Sequence, residues 1–225
     1  MNIYRVISAL LSYPEEDMLA ALPEIRTVVQ TLDAPVDLPE VLAPLLDYLS
    51  AHDLITLQEN YVATFDRNPS QALHLFEHIH GESRDRGQAM VDLLQEYQRH
   101  GFEPGSNEIP DYLPLFLEFL SCIPAEESEP MLGEAIHVIA AIGARLRDVQ
   151  SPYANALLVL TAYTEVEPRQ QSMPPVRDMD EVMEKFGPGA DGTEPLLRPG
   201  KDEQVVRFYP KSAANFESTQ RGSAS

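Results

Sequence analysis

Apolar residues recur at helical spacing along the first 165 residues of the chain, and each run ends at a recognisable breaker. Ile3, Val6, Ile7, Leu10 and Leu11 predict a short first helix that stops at Pro14. Met18, Leu19, Leu22, Ile25, Val28, Val29 and Leu32 follow, with Pro23 set to kink or divide them. Asp37 with Pro39 and Glu40 is a helix start that leads into Val41, Leu42, Leu45, Leu46 and Leu49. Asp53 is placed to cap a further helix with the stripe Leu54, Leu57, Tyr61 and Phe65, and Asn68, Pro69 and Ser70 break the chain after it.

Met90, Leu93, Leu94 and Tyr97 define a helix from Ser83 to His100, with Gly101 suited to its C′ position. Pro124 to Pro130 reads as an acidic link, after which Met131, Leu132, Ala135, Ile139, Ile142 and Leu146 share one face of a long helix. Ser151 and Pro152 start one more, running to about Thr164. No period-two run and no hairpin dipeptide interrupts the series. The pattern predicts an all-α fold, a single globular helical bundle of about eight or more helices over residues 1–165. Residues 166–225 hold 7 of the 19 prolines and 5 of the 11 glycines and lose periodicity, which predicts an extended or disordered tail. Val182, Met183 and Phe186 suggest one short helix in that tail, and residues 203–209 a short docking motif.

From Asp111 to Ile123 the projected helix is apolar around most of its circumference and is therefore buried. Asp111, Glu118 and Cys122 share its one polar stripe, with the Cys122 thiol expected to be buried. Pro110 and Pro114 predict a kinked or 3₁₀-like entry, with Asn107 or Glu108 as cap. On the preceding helix Arg86 projects inward with Met90 and Tyr97 and needs a carboxylate, for which Glu77, Asp66 and Asp111 are the candidates. Gly87 leaves room beside it for another helix to approach.

Composition narrows the function. The chain of 225 residues has a formal charge of −20, and residues 1–165 carry 26 acids against eight Arg and no Lys. That field excludes a phosphate backbone as partner and disfavours an anionic membrane. It suits a basic segment. One cysteine rules out an internal disulfide. No stretch reaches the roughly 18 apolar residues of a membrane span. The opening residues lack a cleavage site, and a cytoplasmic location is expected.

His74, Glu77 and His78 spell H-x-x-E-H, which at i and i+4 would place two imidazoles and a general base on one helical face, as in a zinc peptidase. The alternative is a partly buried polar cluster in which His78 and His80 bond neighbouring carboxylates. A catalytic zinc wants a third protein ligand. None is evident downstream, so neither a metal site nor catalysis is expected.

LFEHIHGESRDRGQAMVDLL (Leu75 to Leu94) followed by EIPDYLPLFLEFLS (Glu108 to Ser121) closely resembles the NarJ branch of the TorD/DmsD/NarJ family of redox-enzyme maturation chaperones. YVATFDR (Tyr61 to Arg67) and EQVVRFY (Glu203 to Tyr209) add to it. The resemblance implies a TorD-like bundle that binds the N-terminal segment of the apo catalytic subunit of a respiratory nitrate reductase. Molybdenum cofactor insertion follows before membrane attachment, with the cofactor delivered to the client and not stably held here. It extends the partner set to molybdenum cofactor biosynthesis proteins. By resemblance Pro110, Asp111, Tyr112 and Leu113 line the peptide site, and His78, His80, Glu82, Arg84 and Asp85 of the matching block are assigned to it with Glu118 of the polar stripe; Glu77 and Gly87 of that block, the inward-projecting Arg86 and its candidate partner Asp66 are assigned to bracing. The family usually reads P-D-H-L where this chain has Tyr112, a phenol that donates a hydrogen bond and does not titrate near neutrality. Asp111→Asn is expected to weaken peptide binding with little change in melting temperature. A zinc peptidase and a helical scaffold for another partner are the competing readings.

Overall fold

Short polar caps set where the helices begin. In the computed structural model, which describes residues 2–80, 84–105 and 108–169 (of Arg84 the backbone alone), Asn2 accepts from the Arg5 amide and opens α1 (Ile3–Leu11). Pro23 divides its run as expected, into α2 (Glu16–Ala20) and α3 (Leu22–Thr31). Asp37 caps α4 (Leu38–Ala51) through the Glu40 amide, and Asp53 caps α5 (Leu54–Tyr61) through that of Thr56. These amide bonds, led by that of Thr56, hold the Asp53 carboxyl below its ordinary range.

The stripe read as one helix to Phe65 changes pitch, because Val62–Asp66 is a π-helical turn, followed by a 3₁₀ turn at Pro69–Gln71. Then come α6 (Leu75–His80) and α7 (Arg84–Arg99), the latter ended by Gly101 in the left-handed region at φ 71°. α8 (Leu113–Cys122) begins two residues later than projected, so Pro114 falls in its first turn, where a proline costs nothing, and the entry is 3₁₀-like, with the Tyr112 amide donating to the Ile109 carbonyl at 3.1 Å. α9 (Ala125–Asp148) absorbs the supposed acidic link: Glu126 and Glu127 occupy its first turn, where the helix dipole favours them. α10 (Ala154–Leu158) runs on as a 3₁₀ turn, Val159–Tyr163.

The described residues are all-α. Among them one bridge of β type pairs His74 with Tyr112. α1 packs chiefly on α8, and α10 on α9. Val6, Ile7 and Leu10 of α1, Leu117, Phe119 and Leu120 of α8, and Ile136, Ile139 and Ile142 of α9 are all fully buried. Each contributes about 1.5–3 kcal/mol by leaving water. Gly143 allows the α9–α10 contact, since a Cβ there would stand 2.9 Å from the Leu158 side chain. No helix among the described residues is long and apolar enough to cross a membrane.

The chain divides into two units, Met1–Glu181 and Val182–Ser225. The second lies outside the described residues, and with it the expected short helix at 182–186 and the motif at 203–209.

Candidate functional site

The segment 110–113, where a peptide site is expected, borders an outer groove on one side and an inner clasp on the other. The clasp forms where two distant segments cross: the Leu113 amide donates to the Leu73 carbonyl at 2.8 Å, and the Leu75 amide to the Asp111 carbonyl at 3.0 Å. Asp111 is 0% exposed. Its Oδ2 accepts from the Phe76 amide at 3.1 Å and so caps the start of α6, serving one of the first-turn amides that a helix's own carbonyls do not reach. Arg86 Nη2 stands 3.9 Å from the same oxygen, and His74 Nδ1 3.8 Å from Oδ1. Of the three carboxylates proposed for Arg86, Asp111 is the one it pairs with among the described residues. Asp66 is exposed and Glu77 half-buried.

Burial closes several of the residues assigned to peptide contact. Asp111, Leu113 and His78 are internal, at 0%, 0% and 2% exposure, and face protein. The Pro110 carbonyl accepts from the Tyr97 hydroxyl at 2.7 Å. His80 packs its ring against Phe76 at the end of α6, and Asp85 is exposed on α7. Glu82 and the Arg84 side chain lie outside the described residues. Among the described residues nothing lies within 4 Å of where a Gly87 Cβ would sit, so none of their helices approaches there. Cys122 is exposed: it closes α8 on the Glu118 side, past the apolar part of the helix.

The H-x-x-E-H residues do not share one helical face. His74 precedes α6 and takes part in the bridge, and His78 Nε2 faces the Ala72 carbonyl at 2.7 Å in place of a carboxylate. Among the described residues no group of three or more His, Cys, Asp or Glu is arranged to hold a metal ion.

Desolvation pushes the His78 pKa below its ordinary 6.5, against the hydrogen bond to Ala72, which raises it. The unfolded chain therefore binds the proton more readily. Stability is complete above pH 6.5 and is lost as pH falls from there toward the folded-state pKa, by at most about 1.4 kcal/mol per pH unit. His78→Gln, which keeps a donor for Ala72, is expected to flatten this part of a melting-temperature profile between pH 7 and pH 5. An unchanged acid limb would place the titration elsewhere.

Outside the clasp, α1, the α2–α3 junction and the segment entering α8 enclose a groove of about 400 Å³. Ala9, Met18, Ala21, Ile25, Pro114 and Leu115 form its apolar floor, with Ser8, Ser12, Tyr13 and Tyr112 beside them. Glu15, Glu108 and Glu118 supply three carboxylates. Tyr112 and Glu118 are thus the two predicted residues that reach it. The Tyr61 hydroxyl donates to the Leu11 carbonyl at 2.8 Å, so its 2.8 Å contact with Tyr112 makes Tyr112 the donor. Burial first, then the neighbouring charges, pushes the Tyr112 phenol up to about 12 and keeps it protonated. Tyr13, 41% exposed, stands edge-on to Tyr61. The α1 side escaped sequence reasoning, because Ser8, Ala9 and Ser12 read as the ordinary flank of a packing helix. Their small size at i, i+1 and i+4 was the available signal.

A family model described as the nitrate reductase delta subunit matches residues 32–159. The chain is 36% identical over 208 residues to the nitrate reductase molybdenum cofactor assembly chaperone NarJ of Escherichia coli K12, covering 91% of this chain and 84% of that one. It is 40% identical over 153 residues to the probable nitrate reductase molybdenum cofactor assembly chaperone NarW of the same strain, covering 68% and 64%. With the probable NarJ chaperone of Bacillus subtilis 168 it shares 32% identity over 162 residues, covering 72% and 88%.

Proposed function

This chain belongs to the nitrate reductase delta subunit family, and from that premise we propose that it is an assembly chaperone that binds the N-terminal segment of the apo catalytic subunit of nitrate reductase. The observation that carries this reading is the groove, an apolar floor rimmed by Glu15, Glu108 and Glu118 on a strongly acidic body. An amphipathic segment with basic residues matches it in shape and sign, helix against groove. Holding that segment keeps the subunit off its membrane anchor until the molybdenum cofactor has been inserted. The cofactor enters as cargo of the client, and no residue of this chain is assigned to it.

Ordering the segment offsets about 2–5 kcal/mol of contact energy, so micromolar to nanomolar affinity is expected, weakening as salt screens the rim. The chain works by binding and release, without bond chemistry.

Calorimetric titration with a peptide copying the catalytic subunit's N-terminus tests this directly. Ala9→Trp fills the groove without altering charge. It is expected to weaken binding about tenfold, or about 1.4 kcal/mol, at an unchanged melting temperature. Absence of binding to the unmodified chain, or full affinity in Ala9→Trp, would remove the groove from this role.

A further inference from the structure

The groove is electrically lopsided. α1 and α8 run antiparallel along it: Arg5 Nη1 lies 2.7 Å from Glu118 Oε1, the Ser8 hydroxyl donates to the Pro114 carbonyl at 2.7 Å, and the Tyr61 hydroxyl links the Leu11 carbonyl to Tyr112. One end therefore holds the Arg5–Glu118 pair, half exposed at 51% and 39%, and the other, about 10 Å along α1, holds Glu15 and Glu108. Among the described residues Glu15 and Glu108 make no side-chain hydrogen bond or ion pair. The C-terminus of α1 and the N-terminus of α8 meet at that end, and their opposed dipoles offset one another. These two exposed carboxylates then set its sign.

We propose that Arg5 is a specificity-determining residue of the groove: by neutralising Glu118 it leaves charge for a guest's cations only at the Glu15–Glu108 end, and so fixes which way round a basic amphipathic segment lies. This rests on the reading of the groove as a peptide site. Arg5 is a competitor for the guest's cation at Glu118, and an exposed ion pair is weak enough to be outbid. The segment sets its basic end beside Glu15 and Glu108 and runs its apolar side chains over Ala9 and Leu115 toward Arg5.

The orientation is measurable with the chain's single cysteine, Cys122, which is exposed at the Arg5 end of α8. The probe is a synthetic amphipathic helix of about 15 residues with its lysines gathered at one end, labelled in turn at each terminus for distance measurement to a dye on Cys122. The lysine end is expected to be the farther from Cys122. Arg5→Ala is expected to tighten the peptide about threefold to fivefold and to bring the two distances closer together. Arg26→Ala, which removes the same charge from a pair with Asp47 away from the groove, should leave both readouts unchanged. A lysine end nearer Cys122, equal distances in the unmodified chain, equal effects of the two Arg substitutions, or no binding of this peptide would each overturn the proposal. Failure of the catalytic-subunit peptide to bind the unmodified chain would instead overturn the peptide-site reading beneath it.

Discussion

Asp111→Ala is expected to lower stability by about 3 kcal/mol, a fall of roughly 6–12 °C in melting temperature for a body of this size. Three losses add up at one position. The Phe76 amide loses the acceptor that caps α6. Arg86, whose side chain is 24% exposed, loses its counter-charge, and His74 loses the oxygen it faces. The separations of 3.8 and 3.9 Å are longer than hydrogen bonds, and among the described residues His74 Nδ1, Arg86 Nε and Asp111 Oδ1 have no hydrogen-bond partner. The cost therefore falls at the lower end of the range for breaking a buried pair. Asp111→Asn keeps an acceptor for Phe76 and should show about half the effect. A thermal melt decides the matter, and no fall in either variant would show that the carboxylate does not brace the crossing. This reverses the sequence-based expectation for Asp111→Asn, because a carboxylate at 0% exposure stabilises before it can recognise.

The double substitution Glu15→Lys/Glu108→Lys should abolish most guest binding. Both carboxylates line the groove, and both are exposed, so the fold loses little. Reversing two charges converts attraction at the open end into repulsion. Affinity for the catalytic-subunit peptide is expected to fall about 30- to 100-fold, equivalent to about 2–2.7 kcal/mol, at 50 mM salt, with a smaller loss at high salt. The same exchange at Glu16 and Glu24, which are exposed and absent from the groove lining, changes the net charge equally and controls for the overall field. Equal losses in both doubles would mean that the body's total charge and not the groove attracts the peptide.

The helices and their caps were legible because they are local. Asp37, Asp53 and Gly101 act through amides or backbone angles within three residues, and the apolar periodicity of α1, α4, α8 and α9 maps directly onto the core. The inward aim of Arg86 toward a carboxylate was legible for the same reason. What periodicity could not supply was depth. Asp111 and Glu118 project to one stripe, yet one lies before the first turn of α8 inside the clasp and the other pairs with Arg5, 113 residues away in sequence. Acidic residues between prolines look like a link until the dipole of α9 gives them a place in its first turn. The groove is the extreme case. Its walls come from residues 8–25 and 108–118, and neither stretch contains a pattern that announces the other.

The crossing of residues 73–75 with 111–113 leaves one further mark. Its two amides, on Leu75 and Leu113, bond across the crossing and not to the turns of their own helices. Neither proton reaches water unless the two segments part, so deuterium uptake at these positions clocks the opening of the clasp separately from the melting of the bundle. Uptake faster than in the middle of α8 or α9 would mark the crossing as the first seam to yield.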